Sequence, residues 1–248
     1  MKTILDQCQW PNLAAKYDSA LRSAVGFIAE NLEPVGIIAS GTILRGNPDP
    51  ASDLDIYVIH RVAKRQRMQK FFAGVPAEIF INPPEKIERY FVEEQESGRP
   101  LTAHMLATGF VVLSLDPVVE TLREKAKTCL TQPPTTPPQL IEMARYSAAA
   151  TLEDAIDLKE RDPAAAHMLA SVCIVRMLHH VFRKAKVFLP RDKDLIEAIR
   201  ARDPELASWA VSFYETADLK DRLELAGRIA DKTIGVRGFY EWTSEPAE

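Results

Sequence analysis

The sequence predicts an α+β fold, a mixed β-sheet with helices followed by an all-helical bundle. Three observations carry this. Short apolar, strand-like runs lie in the first half, helical periodicity without a convincing strand fills the chain beyond residue 139, and "TQPPTTPPQ" separates the two. The four prolines of that stretch forbid a helix and leave no regular strand ladder. The expected limits are therefore residues 1–130 for an α+β domain, 131–139 for a proline-rich linker and 140–248 for a helical domain.

The elements follow in order. "NLAAKYDSALRSAVGFIAENL" sets Leu13, Tyr17, Leu21, Ala24, Ile28 and Leu32 at steps of three and four, the stripe of an amphipathic helix. "VGIIASG" reads as a buried strand and "DLDIYVIH" as a second. "VPAEIFIN" is a third, with Ala77, Ile79 and Ile81 on one face and Glu78, Phe80 and Asn82 on the other. Asn82 as N-cap, Pro83 at the first helical position and Glu85 three residues after the cap predict a helix that Gly98 ends. "FVVLSLDP" gives a further strand, and Asp116-Pro117 opens a helix to about Leu130. Residues 140–161, 163–186, 193–202, 204–216 and 219–233 read as successive helices, with Asp162-Pro163 and Asp203-Pro204 marking two starts.

Composition narrows the function. Hydrophobic content of 46% with 27% charged residues is ordinary for a globular chain, and no apolar run is expected to reach the roughly 20 residues of a membrane span. Asp6 and Pro11 interrupt the apolar segment that a signal peptide would need, so a cytoplasmic location is expected. Cys8, Cys129 and Cys173 are odd in number and lack C-x-x-C spacing, which predicts reduced thiols and no structural zinc. A net charge of -4 gives no broad reason to bind nucleic acid, so a small substrate is expected.

"IIASGTILRGNPDPASDLDIYVIH", residues 37–60, carries the chemistry. In a strand, Asp53 and Asp55 project side by side while Leu54 and Ile56 face an apolar layer. Their charges need a cation, and hard carboxylate oxygens suit Mg²⁺. Upstream, Gly41 after a strand allows backbone N–H groups to approach a phosphate closely, Thr42 supplies a hydroxyl and Arg45 a cation.

"GTILRGNPDPASDLDI" resembles the signature of the DNA polymerase β-like nucleotidyltransferase superfamily. Gly41 and Thr42, the spacer at residues 43–52 and Asp53-Leu54-Asp55-Ile56 follow its order and spacing, with Thr42 where serine is usual, and Arg45-Gly46 fits its smaller members. The resemblance implies a third acid on a later strand, and Glu78 is the acid in that context. It further implies two Mg²⁺ ions at Asp53, Asp55 and Glu78, an NTP (ATP expected) held at Gly41, Thr42 and Arg45, and transfer of AMP to an acceptor hydroxyl with release of pyrophosphate. Size and helical tail look like aminoglycoside-type adenylyltransferases, with a small-molecule acceptor. In their helical domain a lysine after a turn reaches the triphosphate, which points to Lys193 in "FRKAKVFLPRDKDLI". The alternative is an antitoxin-like or regulatory member that binds or nucleotidylates a protein partner.

Other features have plainer readings. The charged run "HRVAKRQRMQK" is expected to be a solvated helix or connector between strands, although its cations could guide an anionic substrate. His179 and His180, adjacent on a helix, point about 100° apart and are read as structural, and His104 and His167 are unassigned. Glu153 could serve as an outside base but reads as part of a solvated acidic face, and Phe239, Tyr240 and Trp242 as a tail packed onto the body.

Overall fold

The computed structural model describes residues 3–244; the outer domain limits at residues 1–2 and 245–248 lie outside the described residues. The described chain is α+β, with five strands in one mixed sheet and nine α-helices. It divides into two compact units, Met1–Gln95 with Pro100–Gln132, and Glu96–Arg99 with Pro133–Glu248.

The first unit holds α1 (Ala15–Asn31), β1 (Pro34–Ser40), β2 (Leu54–His60), β3 (Gln66–Phe72), β4 (Val75–Asn82), α2 (Pro84–Ser97), α3 (Leu101–Thr108), β5 (Phe110–Ser114) and α4 (Val118–Thr131). The sheet runs in the order β3-β4-β2-β1-β5. β2 and β4 are parallel, and the other neighbours are antiparallel. Alternation assigns each strand residue to one of two cores. Ile37, Ala39, Leu54, Ile56, Val58, Ala77, Ile79 and Ile81 pack with Ala20, Leu21, Ala24, Val25 and Ile28 of α1. On the opposite face Ile38, Tyr57 and Ile59 pack with Ile87 and Phe91 of α2, Leu106 of α3 and Val119 and Leu122 of α4. Burying a Leu or Ile side chain contributes about 1.5–3 kcal/mol, so register is strongly enforced across both faces. At β5, the Gln9 N–H donates to the Val112 carbonyl at 2.8 Å, laying the N-terminal segment along that strand.

Two elements depart from the sequence reading. The charged run contains a strand, β3, which turns into β4 through Ala73 (φ 45°) and Gly74 (φ +77°), a two-residue turn with both φ positive. Its charges face solvent along a sheet edge, and between them Met68 and Phe72 alternate inward to the α1 core. α3 was not foreseen either. Its first turn has no cap of its own, and Glu94 of α2 accepts from the N–H groups of Thr102 at 2.7 Å and Ala103 at 3.1 Å instead. Burial pushes the Glu94 carboxyl up.

The second unit holds α5 (Pro138–Leu158), α6 (Pro163–Lys184), α7 (Leu195–Arg202), α8 (Pro204–Glu215) and α9 (Leu219–Thr233). Asp162 and Asp203 are N-caps, accepting from the N–H groups of Ala165 and Leu206 at 3.0 Å each, and Pro163 and Pro204 follow them. The segment at residues 131–139 is shorter than expected as irregular chain, because α4 runs through Thr131 and α5 starts at Pro138. The expectation on apolar runs is also corrected. α6 has 22 residues, and an 18-residue stretch of it has a mean hydropathy of 1.4, enough by length and composition to cross a membrane. Here its Ala170, Cys173, Ile174, Met177, Leu178 and Phe182 form the core of the helical unit.

Candidate metal centre

The register of β1, β2, β4 and β3 builds one row of side chains, Ser40 beside Asp55, Asp55 beside Glu78 and Glu78 beside Gln69. This row lies on the face where Tyr57 and Ile59 carry the α2–α4 core, one step further toward the start of β2. Asp53 stands just ahead of β2 instead of within it. One carboxylate oxygen each from Asp53, Asp55 and Glu78 lies within 4.8 Å of the others. Asp53 and Asp55 are half-buried and Glu78 is 9% exposed. Parallel pairing makes the meeting possible, since it sets residues of two strands that are distant in sequence side by side.

The turn after β1 closes against this row. Gly41 has φ +95°, and a Cβ there would stand 2.9 Å from Asp55 Oδ2 and 3.6 Å from the Asp53 carbonyl, so only glycine fits both the backbone and the space. The Arg45 N–H donates to the Gly41 carbonyl at 3.3 Å and the Asn47 N–H to the Thr42 carbonyl at 3.2 Å, keeping the turn compact. The Thr42 hydroxyl lies 2.9 Å from the Ser52 hydroxyl, whose oxygen also accepts from the Asp49 N–H at 2.8 Å. Thr42 thus ties the turn to the residue before Asp53. Arg45 is exposed on the turn.

Two residues that the sequence reading did not assign to the site come from β3. Arg67 Nε donates to Glu78 Oε1 and its guanidinium lies 5.0 Å from the Phe80 ring centroid, while Gln69 Nε2 donates to the same oxygen at 3.3 Å. The hydrogen bond to Glu78, and then the charges of Glu78 and Asp55, hold the Arg67 proton more tightly than usual. Three other cations of the run are engaged elsewhere, Arg61 with Asp116, Arg65 with the Tyr90 hydroxyl at 2.8 Å and Lys70 over the Phe27 ring at 4.5 Å.

The remaining predicted residues belong to the second unit. Lys193 lies in a short 3-10 turn, Asp192–Asp194, and Glu153 is half-buried on α5. His179 and His180 are buried, as a structural role requires. His167 Nδ1 lies 3.2 Å from an Arg222 NH group. Tyr240 donates to Glu142 at 2.7 Å and the Trp242 ring lies 5.3 Å from Tyr146, so these two residues pack onto α5, whereas Phe239 is exposed, contrary to the expectation for the tail.

A crystal structure of a nucleotidyltransferase-like protein from Exiguobacterium sibiricum 255-15 matches this architecture with a TM-score of 0.53, covering 87% of this chain and 73% of that chain at 13% sequence identity. The fold is a nucleotidyltransferase fold. No protein-family model matches the sequence, and no curated protein matches it with significance. In this nucleotidyltransferase fold the carboxylates offer what a divalent cation needs, hard oxygen donors converging from three residues.

Proposed function

We propose that the protein is a Mg²⁺-dependent nucleotidyltransferase that moves AMP from ATP to a hydroxyl of a small molecule, in the manner of aminoglycoside-type adenylyltransferases. The observation that supports it is the convergence of Asp53, Asp55 and Glu78 within 4.8 Å, with the Gly41 turn packed against Asp55. These acids would hold two ions, which when bound neutralise charge on the phosphoryl group and lower the pKa of the acceptor hydroxyl. The turn from Gly41 to Arg45 receives the β- and γ-phosphates, and Arg45 supplies positive charge to them before reaction begins. Glu78 draws the proton from the acceptor hydroxyl as its oxygen bonds to the α-phosphorus; the bridging P–O bond breaks and pyrophosphate leaves.

The test is pyrophosphate release from a panel of NTPs with hydroxylated small molecules. ATP with at least one acceptor should give turnover. Glu78→Gln should then lower it about a thousandfold while ATP affinity in Mg²⁺ changes less than about tenfold, whereas Arg45→Ala should weaken ATP binding clearly. Near wild-type turnover in Glu78→Gln removes Glu78 from the chemistry and makes Glu153 the next base to test.

A further inference from the structure

Glu78 is nearly sealed from solvent, and the oxygen that Arg67 occupies is also held by Gln69. Arg67 itself is open on its outer side, with 63% of its side chain exposed. Its guanidinium is bound to one member of a carboxylate cluster and feels the charge of a second, Asp55. A positive charge is therefore already seated where a divalent ion would be drawn.

We propose that Arg67 is a resident counter-cation that competes with the divalent ion for Glu78 and so sets the metal affinity of the nucleotide-free protein; the inference rests on the metal reading of the triad. The guanidinium binds Glu78 directly, so an ion drawn to the three carboxylates arrives against like-charge repulsion. Displacement is open to Arg67 because its side chain is largely exposed and the Phe80 ring lies beside it, against which a guanidinium can rest. Gln69 remains as a neutral donor that keeps Glu78 in place.

The test is Mn²⁺ titration of the full chain by electron paramagnetic resonance without nucleotide. Arg67→Gln should tighten Mn²⁺ binding by about fivefold to tenfold, and the same exchange in a Glu78→Gln background should change it less than about twofold. Circular dichroism verifies folding; if Arg67→Gln does not fold, Arg67→Met keeps the stem over Phe80 and is judged by the same criterion. Affinity unchanged or weakened in the folded variant overturns the inference alone, showing that Arg67 supports Glu78 instead of opposing the ion. No Mn²⁺ binding in wild type or variant overturns it together with the metal reading.

Discussion

The two units gather ionisable side chains with opposite imbalance. In the first, Asp53, Asp55 and Glu78 meet, and the Arg67 guanidinium pairs with Glu78. In the second, Arg99 donates to Asp192 at 2.8 Å, and His179 Nε2 lies 3.3 Å from the same carboxylate and 3.3 Å from the Arg99 guanidinium. Arg183, one helical turn after His179 on α6, is partly buried nearby, and burial and then Arg99 push its pKa down. The surplus of positive charge is relieved within the protein, because histidine can stay neutral. Burial holds His179 below its usual range with Arg99 adding to it, and burial with the charge of Arg145 pushes His180 down to about 4. The surplus of negative charge has only Arg67 among the ion pairs described, and this is why the first cluster, not the second, is the candidate for an exogenous ion.

The strongest test of this contrast exchanges one acid in each cluster. Asp55→Asn should lower nucleotidyl transfer by about a thousandfold or more, yet leave the melting temperature of the metal-free protein equal or higher, since repulsion in the triad is relieved. Asp192→Asn should do the reverse, lowering the melting temperature slightly because Arg99 and His179 lose their anion, by less than about 1 kcal/mol for an exposed pair. Melting temperatures that move in the same direction would erase the distinction.

Each unit also has a glycine in the left-handed region beside its cluster. Gly41→Ala should cost about 1–3 kcal/mol and displace Asp55, because backbone strain and a 2.9 Å contact with Oδ2 act together. At Gly98 (φ +74°) a Cβ would find nothing nearer than Thr136 Oγ1 at 3.6 Å, so Gly98→Ala should cost only the backbone term, about 1 kcal/mol. Chemical denaturation of both variants gives the comparison, and equal costs would mean that the turn yields without moving Asp55.

A further expected effect concerns pH. Above about 6.5, His180 is neutral in both folded and unfolded chains; as pH falls toward 4, the unfolded chain takes up a proton that the folded one refuses, so stability drains away across that window. Between pH 7 and pH 4.5, His180→Gln should lose less melting temperature than wild type by about 4–8 °C, equivalent to about 2 kcal/mol. Equal losses in calorimetry would show that His180 is not the outlet for the positive surplus.

Legibility from sequence followed locality. β1, β2 and β4 were readable because apolar residues dominate both faces or alternate cleanly, and the starts of α6 and α8 because Asp-Pro carries its own cap and fixed φ. β3 was hidden by charges that serve a sheet edge, and the alanine at positive φ in its turn is not a residue type that announces one. α3 was hidden because it is apolar nearly all round and borrows its cap from Glu94. At the site, Asp53, Asp55 and Gly41 share one short stretch and Glu78 stands out in an apolar strand. Arg67, Gln69 and Ser40 reach the row only through cross-strand register, which no local pattern encodes.

The order of the sheet leaves β3 and β5 as its margins, and each is closed to further strands by different means. β5 is short and lies beneath the N-terminal segment through the Gln9 hydrogen bond. β3 is seven residues long and exposes Arg67 and Lys70, with Lys64 and Arg65 immediately before it. Two copies approaching margin to margin would press these cations against each other, which opposes the intermolecular pairing that an uncharged border of that length invites. The strand that brings a positive charge to the carboxylates thereby also keeps the sheet from recruiting another chain.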